Sequence, residues 1–234
     1  MKKLLLSLLL TVGLISANDV YATFSVAALK DAQLAFISSG IVKHVNYDIG
    51  AKVKKGTILA SLENEDIKAM LEVSKTTLKY AKKDYERQLK IKNLIDEAKF
   101  DGVVNKYEGA KNQLAYQQAL YNKTFLKAPF DGVIYSKDIE VGDAVSGLML
   151  KTVFQLQSQN ERKLILEFDQ KNRNLVKVGA LFTYKIDGNS KSYSGKISKI
   201  YPRADAKTRK IKAEVKTKNF IPGLFGDGQI QVKE

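Results

Sequence analysis

The chain has 234 residues, with 39 lysines and arginines against 25 acids, a formal charge of +14, a single histidine and no cysteine. That length allows one or two ordinary domains or several small ones. Without cysteine there is no disulfide, no thiolate metal site and no thiol nucleophile, and the charge suggests either an ordinary solvated basic surface or acidic surroundings: nucleic acid in a cytosolic protein, membrane surfaces or acidic proteins in an exported one.

The amino terminus points to export. Lys2 and Lys3 precede an apolar run over residues 4–14, and Val20-Tyr21-Ala22 offers small residues for cleavage, so residues 1–22 read as a secretory signal peptide, with Ala17 as the alternative cleavage position. The run is too short for a bilayer, which takes roughly 20 apolar residues. Residues 23–35 then read as a short N-terminal segment forming one strand. Residues 36–63 alternate apolar and polar positions between turns, with Gly40, Gly50 and Gly56 at the corners.

Residues 64–125 change period. Asn64 is placed to cap a helix, with Glu65 and Asp66 in its first turn. Ile67, Leu71, Ser74, Leu78, Ala81, Tyr85 and then Gln88 or Leu89 recur at alternating spacings of four and three, the seam of a coiled coil. Asp96 caps a second helix in which Phe100, Val103, Tyr107, Ala110, Leu114, Gln117, Tyr121 and Thr124 repeat that spacing. Two helices of about 30 residues would make an antiparallel rod roughly 45 Å long. Gly102 and Gly109, seven apart and off the seam, mark either a close packing partner or a tolerated defect.

Residues 126–158 repeat the first β segment. Ala128-Pro129-Phe130-Asp131-Gly132 opens it, Gly142 follows Gly132 by the interval that separates Gly50 from Gly40, and Gly147 stands where Gly56 does. The two halves read as one small β module split by the helices. Residues 159–234 are all β: four to six short strands, with a hairpin turn at Asp187-Gly188 and further turns at residues 202–208 and Pro222-Gly223, the pattern of a small barrel. The lysines lie scattered along the chain.

Catalytic chemistry is sparse. His44 sits alone in a strand pattern with no acidic cluster beside it, and no nucleophile elbow, phosphate loop or zinc spacing occurs. Glu63, Glu65 and Asp66 are ordinary helix-start acids. No cofactor and no enzymatic activity is expected.

The order of half-module, helical hairpin, half-module and barrel resembles the periplasmic adaptor subunits, or membrane fusion proteins, of RND-type tripartite efflux pumps. Gly40, Gly50, Gly56, Pro129, Gly132 and Gly142 match the family's lipoyl-like motif, and Pro202, Asp205, Thr208, Arg209, Pro222 and Gly223 its barrel motif. The resemblance implies an α+β, multidomain, elongated fold. An antiparallel coiled-coil α-hairpin would be inserted in a lipoyl-like (barrel-sandwich hybrid) domain and followed by a β-barrel, with the membrane-proximal domain missing or vestigial and no lipid anchor. It further implies a non-enzymatic protein held at the inner membrane, on its periplasmic side, by partner proteins: an inner-membrane RND transporter, an outer-membrane efflux channel and copies of itself, six per pump. Arg87, Leu94, Ile95 and Asp96 would be the channel-contacting tip, although Asp96 replaces the family's usual serine and the turn is about two residues short. A single histidine and three methionines point the cargo towards drugs or other amphiphiles. The alternatives are an adaptor for an ABC or type I exporter or for a metal-cation RND pump and, remotely, a lipoyl or biotinyl carrier.

Overall fold

The structure is a computed structural model describing residues 19–232; the proposed signal's apolar run lies outside them. In chain order the strands and helices are β1 (Val20–Ala28), β2 (Asp31–Leu34), β3 (Gly40–Val45), β4 (Lys52–Val53), β5 (Ile58–Leu62), α1 (Glu65–Leu89), α2 (Glu97–Lys123), β6 (Phe125–Lys127), β7 (Gly132–Lys137), β8 (Ala144–Val145), β9 (Phe154–Ser158), β10 (Glu161–Asp169), β11 (Leu181–Ile186), β12 (Tyr193–Ala204), β13 (Lys210–Lys218) and β14 (Phe225–Ile230). They sort into two compact units, one formed by Lys30–Gln159 and the other by the segments on either side of it.

In the unit Lys30–Gln159, two four-stranded sheets, ordered β2-β9-β7-β4 and β6-β5-β3-β8, enclose a core that includes Val42, Leu59, Leu62, Ile134, Phe154 and Leu156. The two halves exchange equivalent backbone bonds. Gly50 N–H donates to Ile134 O at 2.8 Å and Ile134 N–H returns to Ala51 O at 3.0 Å, while Gly142 N–H donates to Val42 O and Val42 N–H to Asp143 O, both at 2.9 Å. Gly50 and Gly142 hold φ of 86° and 92°, which a side chain would resist, so the same constraint operates in both halves. Gly147 departs from that correspondence. Gly56 is needed for its φ of 84°, whereas a Cβ on Gly147 would lie 2.5 Å from Ile37 O, so Gly147 is needed for space.

The helices leave and rejoin this module between β5 and β6. Every buried residue of α1 (Leu71, Ser74, Ala81) and α2 (Phe100, Ala110, Gln117) lies on the four-three seam read from the sequence. With 25 and 27 residues they reach about 40 Å, somewhat less than the expected rod. Neither Gly102 nor Gly109 has an atom within 4 Å of where its Cβ would be, so no close packing within the chain explains them.

The other unit is a closed barrel ordered β1-β10-β13-β12-β11-β14 around Phe24, Leu166, Phe168, Phe182, Val215 and Ile230. It corrects two expectations. Residues 23–35 hold two strands in different units rather than one, with the chain passing from barrel to sandwich at Leu29 and Lys30. The barrel is also not confined to the residues after 158, because β1 lies between β10 and β14: Ala22 pairs with both Phe168 and Gly228, and buried Val20 with Ile230. Residues 20–22, read as the end of the signal, are therefore barrel strand.

Candidate functional site: the helical tip and the barrel motif

α1 and α2 run antiparallel. Tyr85 near the end of α1 stacks on Tyr107 (ring centroids 5.1 Å) and meets Phe100 (6.1 Å) near the start of α2. At the other end, the Asn64 side-chain amide donates to Thr124 Oγ1 at 2.8 Å, and that hydroxyl donates to Tyr121 O at 2.7 Å. Asn64 therefore does not cap α1 with its side chain; it ties the chain just before α1 to the residue just after α2.

Asp96 does cap α2. Its Oδ1 accepts from Lys99 N–H at 3.2 Å and its carbonyl from Phe100 N–H at 3.1 Å. Between the helices, residues 92–94 form one tight turn closed by Leu94 N–H to Ile91 O at 2.8 Å, and Lys92 Nζ lies 5.0 Å from the centroid of the Phe100 ring. This geometry turns Leu94 outward to 83% exposure and leaves Ile95 half-buried. Arg87 is exposed and held by Asp84 at 3.1 Å, one turn back along α1. Leu94, Ile95 and Asp96 thus cluster at the turn, with Arg87 on the helix just before it.

Leu89 and Ile91, exposed at 47% and 42%, escaped the sequence reading, which left Leu89 as an option for the seam. With Leu94 they put three exposed apolar residues at or next to the turn, an apolar cap interspersed in sequence with Lys90 and Lys92. The missed signal was an apolar residue where the helical period had already ended. Such a cap offers a surface to bind.

The barrel motif is mainly architectural. Asp205 Oδ1 accepts from Lys207 N–H at 2.9 Å and Thr208 N–H at 2.8 Å, and Arg209 N–H returns to Asp205 O at 2.8 Å. Those backbone bonds hold the Asp205 carboxyl below the usual carboxylate range. Arg209 pays with a φ of 56°, and its carbonyl accepts from Gln170 N–H at 3.1 Å, pinning this turn to the end of β10. Beside the turn, Asp169, Lys171, Arg173, Tyr201, Pro202 and Arg209 line a cleft of about 750 Å³. Pro222-Gly223 performs a similar task elsewhere: Gly223 N–H donates to Val26 O at 2.8 Å and Val26 N–H to Leu224 O at 2.7 Å, fastening β1 to the start of β14.

Among the described residues, no three His, Cys, Asp or Glu side chains gather in a metal-holding group. His44 is exposed on β3.

A split sandwich carrying an antiparallel helix pair, together with a six-stranded barrel, is the fold class of membrane fusion proteins. Residues 31–157 match the CzcB-like barrel-sandwich hybrid domain, and the chain belongs to that family. It is 26% identical over 208 residues to the cobalt-zinc-cadmium resistance protein CzcB of Cupriavidus metallidurans, and 26% identical over 213 residues to the cation efflux system protein CzcB of an Alcaligenes species. Each alignment takes in 80% of this chain but 40% of the relative, so the chain spans well under half the length of these curated relatives. Among solved structures, a MacA–MexA chimeric protein containing the Pseudomonas aeruginosa MexA α-hairpin domain superposes with a TM-score of 0.83 at 18% identity, covering 93% of this chain and 80% of the other. ZneB from Cupriavidus metallidurans gives 0.61 at 16% identity, covering 93% and 71%.

Proposed function

We propose that the chain is a non-enzymatic periplasmic adaptor that couples an inner-membrane RND transporter to an outer-membrane exit channel. The single observation that supports this most is the apolar cap of Leu89, Ile91 and Leu94, held out on a turn that Asp96 stabilises. Apolar side chains exposed together at a fixed position serve a partner better than they serve the fold. The seam residues support reading the helix pair as a coiled-coil hairpin with the channel at its tip. Each tip offers only a few apolar side chains, so useful affinity comes from several adaptors, six in the family's pumps, engaging one channel together. Leu148, Met149 and Leu150, exposed at 95%, 80% and 66%, with Ile37 beside Gly147, give a second apolar surface suited to neighbouring copies.

The names of the curated relatives favour metal cations as the exported cargo. The drug or amphiphile reading stands second, supported by the single exposed histidine and the lack of a metal-holding group among the described residues. Where a lipoyl or biotinyl carrier presents its lysine on a tight turn, this chain has α1 and α2, which disfavours the carrier alternative.

The test is complementation of a strain lacking the gene, scored for resistance to zinc, cadmium and cobalt and, separately, to bile salts and hydrophobic drugs. Wild type should restore one of the two groups. Leu94→Glu should restore neither while reaching the same abundance and melting temperature, because Leu94 supports nothing inside the chain. Full resistance with Leu94→Glu would remove the tip from the mechanism.

A further inference from the structure

The lysines that look scattered in sequence are gathered by the barrel. β13 reads Lys210-Ile211-Lys212-Ala213-Glu214-Val215-Lys216-Thr217-Lys218, and Ile211, Ala213 and Val215 are buried. A strand alternates faces, so Lys210, Lys212, Lys216 and Lys218 share the outer face with Glu214, roughly 7 Å from one to the next position. Neighbouring β12 adds exposed Lys196, Lys199 and Arg203 around its buried Ile197. On these two strands the outward carboxylate is already engaged: Glu214 Oε1 accepts from the Tyr201 hydroxyl at 2.7 Å and from Lys163 Nζ at 3.1 Å. Burial would raise the Glu214 pKa, but these partners and Lys199 hold it below its ordinary value, so it stays charged and committed. On adjacent β10, Glu167 lies 3.8 Å from Lys210 Nζ and 3.5 Å from Lys212 Nζ, so those two lysines are paired, and Glu161 stands opposite Lys218. Among the described residues Lys196, Lys216, Lys218 and Arg203 make no ion pair.

Two further observations bear on the charge of this wall. The barrel register sets Lys163 directly opposite Lys216, a like-charge pair eased by the Lys163–Glu214 bridge, while it sets Glu167 opposite Lys212 and Glu161 opposite Lys218. The charge is also one-sided, because β1 and β14, on the other side of the ring, contain no lysine or arginine at all.

We propose that the outer face of β12 and β13 binds the anionic headgroups of a bilayer surface. Composition selects this occupant over a protein. Protein interfaces are depleted in lysine and use arginine for its planar fork. This wall has six lysines to one arginine, on an exposed sheet face where β12 departs from regular pairing between Ile197 and Lys199 and between Ile200 and Ala204. Hydrated ammonium groups on flexible stems suit a plane of phosphates, to which each adds attraction without needing a fixed geometry. The inference does not depend on the adaptor reading and is tested without any pump component.

The experiment is vesicle flotation at about 0.1 M salt, where charges interact over roughly 10 Å. It uses the chain beginning at Asn18, which retains every described residue, with phosphatidylcholine vesicles that do or do not contain one part in three of phosphatidylglycerol. Wild type should float only with the phosphatidylglycerol vesicles and should be released by high salt. The quadruple variant K196Q/K199Q/K216Q/K218Q should partition roughly 1,000-fold more weakly, each lysine near the surface contributing somewhat under tenfold. A matched variant, K68Q/K79Q/K106Q/K123Q, removes the same charge from exposed positions on the helices and should float like wild type. Equal loss in both variants, or no binding by wild type, would overturn the proposal. So would a barrel variant that alters self-association in sedimentation while still floating, since that result assigns the wall to a second copy.

Discussion

At the scale of single residues, the side chains that matter most here bond to backbone. Asp205 organises the turn between β12 and β13 by accepting from two successive N–H groups, which stabilise its charged form. Its folded pKa is depressed, so the help it gives the turn is full above the ordinary aspartate value and is lost as pH falls through the lowered folded value. The Thr208 amide resonance should therefore hold its position across the usual carboxylate range and move only at more acid pH, and Asp205→Asn should flatten that titration. A midpoint at the ordinary aspartate value would contradict the bonding described. Asp96 was legible from sequence, because an acid just before a new run of helical spacing announces a cap. Asn64 announced the same thing and does something else. Its competing partner, Thr124, is sixty positions away in sequence, and local pattern has no access to such a distance.

At the scale of elements, periodicity identified both the helices and the strands. The seam residues that are buried were all named from their spacing, since a three-four repeat allows only one face. What spacing could not show is where a face stops. Leu89 and Ile91 continue the apolar composition past the end of the seam, and only the turn at residues 92–94 shows them facing solvent. Gly102 and Gly109 lie in α2 with open space where a Cβ would sit. Gly102→Ala and Gly109→Ala should each stabilise the chain by about 0.5–1 kcal/mol, read as a shift in urea midpoint. No gain from either substitution would contradict the open helical positions described for these two glycines. A gain in stability with a loss of resistance in cells would instead show that a partner packs against that face.

For the whole chain, the split module and its inserted helices were readable because the glycine spacing occurs twice, and because neither half could bury its own apolar side. Membership of β1 in the barrel was not readable. Its residues pair with strands near the other end of the sequence, and three of them resemble a cleavage site. This makes a definite prediction about processing. Cleavage after Ala22 would remove Val20 and Ala22 from the barrel core, so if the proposed signal is cleaved the mature protein should begin at Asn18, a start that amino-terminal sequencing of protein recovered from the periplasm would test. A start at Thr23 would mean that β1 pairs with three fewer residues than described.

β1 and β10 are antiparallel neighbours, so everything from Lys30 to Gln159 is an excursion within one strand pair, and α1 with α2 is a second excursion inside the first. Under the proposed export, a chain threaded across a membrane from its amino end would deliver β1 first and the strand it needs only after both excursions have emerged. Until β10 arrives, Val20, Ala22, Phe24 and Val26 lie on a strand with two bare edges, the kind of segment that recruits the wrong partner. The sandwich and the helices can complete themselves in that interval, whereas the barrel must wait. The sensitive period in this protein's life is thus set by the order in which its parts arrive, and a holding chaperone that recognises apolar strands would have its site of action at β1.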